Sequence, residues 1–265
     1  MTYKKEQVIL KVENVSLSYD RPILRDISFE IHNIIRPEIH QGQVISLVGR
    51  SGIGKTQLFK ILAGLIQPDS GKVHIGNDLH EVIAGEVGVV PQNYILFNHR
   101  SILDNLKLGL RGSVEKLTEK ERANLIDEYA EKFGLKEHLK KYPMQLSGGQ
   151  RQRVSIIQQI LTGNKFILLD EPFSGLDPIM KDKVLELLTS ISTLHELSTL
   201  LIISHDLENS FAISDTAFIL ANQENKQGST VTETIDLIEM GFCWDPEIKK
   251  NKNFQELVAQ MKYRM

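Results

Sequence analysis

The sequence predicts an α/β fold built on a buried parallel sheet, and three observations point to this class. Short runs rich in β-branched residues alternate with segments that carry apolar residues at helical spacing. Two later runs, Phe166–Leu169 and Leu200–Ile203, are wholly apolar, as strands covered on both faces are. Polar residues follow both runs directly, which predicts functional groups at the carboxyl ends of parallel strands.

The individual elements follow from these patterns in chain order. Residues 8–48 are β-rich, and the early strands are predicted at Val8–Val15, Ile23–Ile31, Val44–Val48, Val73–Ile75 and Val87–Val90. Apolar residues at helical spacing predict a helix over Gln57–Leu65. From about residue 95 to about residue 160 a similar spacing, as in Ala123–Phe133, predicts a helical subdomain inserted in a main domain of residues 1–222. Residues 223–265 are predicted to form a short, mostly helical C-terminal extension.

Composition limits the classes of protein that fit. The chain has 265 residues, 41% of them hydrophobic, which allows a substantial core and argues against disorder. A net charge of -3 gives no basic footprint, so no nucleic-acid partner is expected. Cys243 is the single cysteine, which excludes a disulfide framework and fits a reducing cytoplasm. Neither a secretory signal nor an apolar run of about 20 residues is visible, so other chains are expected to supply any membrane part.

One motif predicts a nucleotide site. The segment GRSGIGKT matches G-x-x-x-x-G-K-[ST], and it stands between a predicted strand and a predicted helix, the context in which this motif cradles phosphates. Glycines allow backbone N–H groups to turn towards phosphate oxygens, and the start of the helix adds a positive dipole. A glycine-rich turn without a ligand is the structural alternative, and the full match argues against it. The candidate residues are Gly49, Arg50, Ser51, Gly52, Ile53, Gly54, Lys55, Thr56 and Gln57.

Two adjacent carboxylates end the first wholly apolar run. Asp170 is suited to holding Mg²⁺, and Glu171 is suited to polarising the attacking water as a general base. Side chains alternate along a strand, so the two carboxylates point in different directions and can hold different roles. The structural alternative is an acidic turn after a core strand, and the presence of the phosphate loop in the same chain argues against it.

A third motif connects the chain to a known family. The segment LSGGQRQRVS resembles the signature motif of the ATP-binding-cassette (ABC) ATPases, and here it stands between the other two motifs. Its residues would open a helix from about Gln150 to Leu161, whose N-terminus is able to bind a phosphate. An ordinary capped helix is the alternative, and both descriptions can hold together. The candidate residues are Ser147, Gly148, Gly149 and Gln150.

Four further matches extend the resemblance over residues 8–220. Tyr19 is similar to the aromatic residue that stacks on adenine, and Gln92 to the Q-loop glutamine that touches Mg²⁺. Asp177, in SGLD, resembles the D-loop aspartate, and His205 resembles the switch histidine that contacts the γ-phosphate. Taken singly each match is weak. Tyr19 could be a strand aromatic, Gln92 a polar group in a loop, and His205 a satisfied histidine at a strand end.

The resemblance implies an architecture and a mechanism. The fold would be a P-loop NTPase core with a mixed central sheet, an N-terminal antiparallel β-subdomain and an inserted α-helical signature subdomain. The cofactors would be ATP and Mg²⁺, with Glu171, His205 and Lys55 catalytic, and Thr56, Gln92 and Asp170 at the metal. ATP would be shared head to tail with a second copy or a paralogous ABC subunit. Membrane permease subunits would dock near the Q-loop, on the cytoplasmic face of the membrane.

Departures from the family pattern leave some questions open. A longer stretch around Ile34–His40 is expected to be a surface hairpin, with a subunit-specific contact as the alternative. Gln158 stands where an arginine is common, which puts interface detail in question, and Gln57 replaces a common Ser or Thr with little expected effect. Near the C-terminus, Lys249–Lys252 is expected to be a solvated face, and Phe254–Met261 to pack on the core.

Two other functions compete with the transport interpretation. A non-transport ABC ATPase with soluble partners, of the iron–sulfur assembly type, would carry the same motifs. A nucleotide-dependent scaffold without turnover would be expected to lack Glu171 or His205, and both are present. Cargo, direction of transport and the choice between homodimer and heterodimer are not encoded in these motifs.

Overall fold

A single mixed sheet organises the chain. The computed structural model describes residues 3–35, 42–111, 117–192, 199–243 and 245–265. The strands within these ranges lie in the order β5-β4-β1-β2-β10-β9-β3-β8-β7-β6. Their bounds are Lys4–Ser18 (β1), Pro22–Ile35 (β2), Gln43–Val48 (β3), Ser70–Ile75 (β4), His80–Glu81 (β5), Gly88–Val90 (β6), Phe166–Asp170 (β7), Thr199–Ser204 (β8), Thr216–Asn222 (β9) and Ser229–Asp236 (β10).

The sheet has a parallel half and an antiparallel half, as the sequence and the resemblance predicted. Strands β6, β7, β8, β3 and β9 pair in parallel, and every residue of β3, β7 and β8 is buried. Strands β1, β2, β4 and β5 pair antiparallel and form the β-subdomain. The halves meet where β10 pairs with β2 at Ser229 and Leu24. The carboxyl ends of β3, β7 and β8 therefore share one edge of the parallel half.

Helices cover the sheet and form the predicted inserted subdomain. Their bounds are Lys55–Leu62 (α1), Ile102–Arg111 (α2), Glu119–Lys132 (α3), Gly148–Ile160 (α4), Pro178–Ser192 (α5), Leu207–Ile213 (α6) and Lys252–Arg264 (α7). Short 3-10 turns lie at Lys136–His138, Pro143–Gln145 and Ile248–Lys250. Helices α2, α3 and α4 lie between β6 and β7 in the chain and share one apolar core with the face of β7 and β8.

Close packing of α2 on α4 explains one departure from the family pattern. A Cβ at Gly109 would lie 2.4 Å from the Gln158 carbonyl oxygen, so the helices approach more closely than a larger residue permits. The Gln158 amide donates to the Asn105 carbonyl at 3.0 Å, across the same contact. This glutamine therefore stabilises the helical subdomain from within.

The structure of the C-terminal extension differs from the mostly helical one that the sequence predicted. Residues 223–265 were expected to be mostly helical, but Ser229–Asp236 form a strand that pairs along its length with β9. Its alternation of Thr and Val with polar residues is a strand signal with few large apolar residues. The sheet thus continues past residue 222, the boundary expected for the main domain.

The end of the chain packs as predicted. Phe254, Leu257, Val258 and Met261 of α7 are buried against α6, β9 and the turn after β10. In the lysine run, Lys250 and Lys252 are exposed, and Lys249 pairs with Asp182 of α5 at 2.8 Å. Of the longer stretch around Ile34–His40, the first two residues extend β2; the rest of the predicted hairpin lies outside the described residues.

Candidate active site

The phosphate-loop segment joins the end of β3 to the start of α1. Gly54 occupies the N-cap position in a left-handed conformation (φ 103°), and no side chain caps the helix. A Cβ there would lie 2.9 Å from Ile23 Cγ2, so both the conformation and the space require glycine. The first N–H groups of α1 are thus left to an outside acceptor, the arrangement that binds phosphate.

Lys55 lies inside this loop. Its Nζ donates to the carbonyl oxygens of Gly49 at 2.9 Å and Arg50 at 3.1 Å. It also lies 3.2 Å from Glu171 Oε1, and only 6% of its side chain is exposed. Two carbonyls and a carboxylate thus hold the buried ammonium of Lys55 in place, where it can bind an anionic ligand.

Glu171 is the point where three elements meet. Its backbone is left-handed (φ 49°), and its N–H donates to the Ile203 carbonyl at 2.7 Å, which turns the side chain across the end of β8. Its Oε2 accepts from Ser204 Oγ at 3.1 Å and lies 2.7 Å from His205 Nδ1. The structure therefore brings the three predicted catalytic side chains, Lys55, Glu171 and His205, into direct contact.

The two adjacent carboxylates differ in proton affinity. Burial by itself would raise the pKa of Glu171, but the hydrogen bond with His205 and the charge of Lys55 lower that pKa below its usual value. Burial, followed by repulsion from Glu171, raises the pKa of Asp170 to about 6. Asp170 Oδ1 is buried and has no hydrogen-bond partner in the described part of the chain. Such opposed shifts are typical of paired functional carboxylates.

The buried Asp170 gives a testable prediction about stability. Its folded pKa of about 6 exceeds the unfolded value of 3.8, so the folded state holds the proton more tightly and the free energy of unfolding falls as pH rises through this window. We expect Asp170→Asn to raise the free energy of unfolding at neutral pH by about 1 to 2 kcal/mol, because solvent screening reduces the full cost of the charge.

Urea denaturation at several pH values measures this effect. Asp127→Asn, which replaces an exposed carboxylate on α3, is the matched control and should leave the free energy of unfolding nearly unchanged. A variant Asp170→Asn that is less stable than the wild type at neutral pH would contradict the assigned cause.

Tyr19 lies beside the start of α1. Tyr19 is 62% exposed, and its hydroxyl donates to Gln57 Oε1 at 3.1 Å. The exposed ring is free to stack on a planar ligand next to the phosphate loop. The expectation that Gln57 has little effect therefore omitted a contact, because this side chain ties the ring to α1.

The Q-loop and D-loop residues contact one another. Gln92, in the loop after β6, donates from Nε2 to Ser174 Oγ at 3.2 Å. Asp177 accepts from the Met180 N–H at 3.0 Å through Oδ1 and so caps α5. Asp177 thus has a structural role within its own subunit, as the cap of α5.

The signature segment opens α4 with reciprocal hydrogen bonds. Ser147 Oγ accepts from the Gln150 N–H at 3.3 Å, and Gln150 Oε1 accepts from the Ser147 N–H at 2.9 Å. Gln152, two residues further along α4, is fully buried and donates to the Pro172 carbonyl at 3.0 Å. This bond attaches the signature helix to the residue after Glu171.

Two residues of the site were not predicted. Ser204 holds Glu171, and Gln152 joins the signature helix to the acidic strand end. A polar residue beside a catalytic candidate, and a glutamine on the buried side of α4, are weak signals that only the packing makes specific. In the described residues no hydrogen bond connects the four signature candidates, Ser147 to Gln150, to the phosphate loop, so they stay apart from it within one subunit.

The chain is thus a P-loop nucleoside triphosphatase by fold, with its lysine, carboxylates and histidine gathered at the carboxyl edge of the parallel strands. A family model described as ABC transporter matches residues 32–174, more than half of the sequence. The chain therefore belongs to the ABC transporter family, as an ATP-binding and ATP-hydrolysing subunit. The family resemblance seen in the sequence is confirmed.

Curated relatives and solved structures agree with this assignment. The thiamine import ATP-binding protein of Vibrio parahaemolyticus is 32% identical over 217 residues, which cover 81% of this chain and 88% of that protein. A sulfate/thiosulfate import ATP-binding protein of Agrobacterium fabrum is 33% identical over 243 residues, which cover 89% and 67%. The structure of CbiO1 from Clostridium perfringens, described as part of the transporter complex CbiONQ, has a TM-score of 0.74 at 25% identity and covers 97% of this chain and 100% of its own.

The names of these relatives favour transport over the alternative of soluble assembly partners. In the described residues no helix has the length and apolar character needed to cross a bilayer.

Proposed function

We propose that this subunit powers a membrane importer by holding ATP and Mg²⁺ between two cassettes that lie head to tail. The support for import is that the relatives named above are import ATP-binding proteins. Their cargoes differ while the cassette is shared, so cargo is proposed to be selected by other subunits.

The open start of α4 supports a shared nucleotide. Ser147 and Gly148 are exposed, and a Cβ at Gly148 would meet no atom within 4 Å, so a ligand has room to approach the start of this helix. A second subunit, either another copy or a paralogue, would bring its ATP to this N-terminus. Tyr19, the loop residues Gly49 to Gln57, Gln92 and His205 would hold that ATP from one side, and Ser147 to Gln150 and Asp177 from the other.

The buried oxygen of Asp170 supports the metal. Mg²⁺ prefers oxygen ligands, and Asp170 Oδ1 is a buried oxygen without a hydrogen-bond partner in the described part of the chain, while Thr56, in the first turn of α1, is exposed. Gln92 would join them after leaving Ser174. The metal would neutralise charge on the β- and γ-phosphates. Glu171 would accept the proton of the attacking water, and Lys55 and His205 would stabilise the γ-phosphate.

A groove beside the Q-loop supports the proposal of a permease partner. A cavity of about 390 Å³ lies between the loop after Gln92 and the turn before the signature. Ile95 and Met144, 71% and 81% exposed, lie on its two sides. Two exposed apolar side chains beside the polar groups Asn93, Asn98 and Arg151 form a mixed groove that suits an amphipathic helix. A permease helix docked there at the cytoplasmic face would touch both halves of the ATP site.

Site-specific photo-crosslinking in the cells of origin tests this proposal. A crosslinker at Met144 should capture an integral membrane protein, whereas one at Tyr263, 91% exposed on α7, should not. Both positions are exposed and apolar, so the difference reports location. Capture of soluble proteins alone at Met144, or the same membrane protein at both positions, would contradict the permease partner.

A further inference from the structure

A histidine outside the known motifs contacts the signature. His138 ends the 3-10 turn at Lys136–His138, and its Nε2 lies 2.9 Å from Nε2 of Gln150. The contact is partly buried, and His138 Nδ1 is shielded from solvent without a hydrogen-bond partner among the described residues. No residue of the other motifs takes part in it.

The hydrogen bonds of Gln150 fix the proton on this histidine. Gln150 Oε1 already accepts from the Ser147 N–H, so only the amide NH₂ group faces His138. His138 Nε2 must then accept, which requires a neutral imidazole with its proton on Nδ1. A protonated imidazole would place two donors face to face at 2.9 Å and would break either this contact or the cap on Ser147.

We propose that His138, in its neutral form, is a positioning residue that holds Gln150 and thereby the start of the signature helix. The inference rests on the proposed function, because the signature acts on a nucleotide held by the opposite subunit. Loss of the contact should weaken the ATP-bound dimer and its turnover. Nucleotide binding to one cassette alone uses the phosphate loop and Tyr19, so it should not change.

The charged groups around His138 belong to three neighbouring elements. Its own turn and the residues after it carry Lys136, Glu137, Lys140 and Lys141, the end of α3 carries Glu131 and Lys132, and α4 carries Arg151 and Arg153. Lys136 is paired with Glu131 at 2.6 Å. Arg153 donates to the Phe133 carbonyl at 2.9 Å. None of these charged groups is hydrogen-bonded to the imidazole of His138 in the described residues; its hydrogen bond is with Gln150.

Two substitutions separate this role from a simple packing role. His138→Leu keeps an apolar side chain but removes the acceptor, and should lower kcat about three- to tenfold, the range of one hydrogen bond. His138→Gln offers an acceptor oxygen in place of the imidazole nitrogen and should restore kcat. His80→Gln, on the remote edge strand β5, is the control and should behave like the wild type.

The measurements are kcat, nucleotide affinity of the isolated cassette, and dimer formation with ATP and Mg²⁺. A kcat loss in His138→Leu with unchanged affinity, together with kcat restored in His138→Gln, would support the inference. Wild-type kcat in His138→Leu, an equal loss of affinity, or a kcat in His138→Gln as low as in His138→Leu would overturn it. Failure of the wild type itself to dimerise would instead count against the proposed function.

Discussion

Glu171→Gln should lower the rate of ATP hydrolysis by about 10²- to 10⁴-fold, the usual contribution of a general base, while nucleotide binding persists. The reason lies in the geometry of the carboxylate. Glu171 is the only group that the structure holds in contact with both Lys55 and His205 in the described residues, through Oε1 at 3.2 Å and Oε2 at 2.7 Å. Its lowered pKa keeps it ionised and able to accept a proton. Glutamine keeps the shape and most of the hydrogen bonds but cannot accept that proton.

The same substitution should trap ATP between two subunits. If hydrolysis is what separates them, a variant that binds without hydrolysing should elute as a dimer with ATP and Mg²⁺ and as a monomer without ATP. Glu186→Gln, an exposed carboxylate on α5, is the control and should hydrolyse ATP at the wild-type rate. Size-exclusion chromatography with an ATPase assay measures both properties. A Glu171→Gln protein that stays monomeric with ATP would contradict the shared site.

Lys55→Ala should weaken nucleotide binding by about 100-fold or more, because each charge-assisted hydrogen bond to a phosphate contributes about 1.5 to 3 kcal/mol. The ammonium is preformed within the loop by the carbonyls of Gly49 and Arg50. Phosphate oxygens that enter the loop would replace these neutral partners with charged ones. Isothermal titration with ATP measures the change in Kd.

Lys55→Ala should also change the environment of the neighbouring carboxylate of Glu171. Without Lys55 the partly buried Glu171 keeps its contact with His205 but loses its cationic neighbour, so the pKa of Glu171 should rise and some stability should be lost. A thermal melt therefore has to accompany the titration, to show that the protein is folded. Lys120→Ala, an exposed position on α3, is the control and should bind ATP normally. Wild-type affinity in a folded Lys55→Ala protein would contradict the phosphate-loop assignment.

The local motifs could be predicted from the sequence because the residues that carry out their function are adjacent in the chain. The glycine and lysine spacing of residues 49–56 fixes a backbone path between a strand and a helix, and the neighbouring Asp170 and Glu171 need only a strand end. The buried strands β3, β7 and β8 were predictable for a similar reason, since apolar runs bounded by polar residues have few alternative structures. By contrast, β10 has few large apolar residues, and its pairing with β9 and β2 makes it a strand.

The sequence by itself thus determined the family, the phosphate loop, the acidic strand end and the order of the motifs. Tertiary structure decided how those parts act on each other. The opposed pKa shifts of Asp170 and Glu171 arise from burial and from side chains on three separate elements. The contact of His138 with Gln150 likewise depends on how a turn packs against α4. Charge state and hydrogen bonding are properties of groups brought together from distant parts of the chain, and only the packed fold fixes their distances.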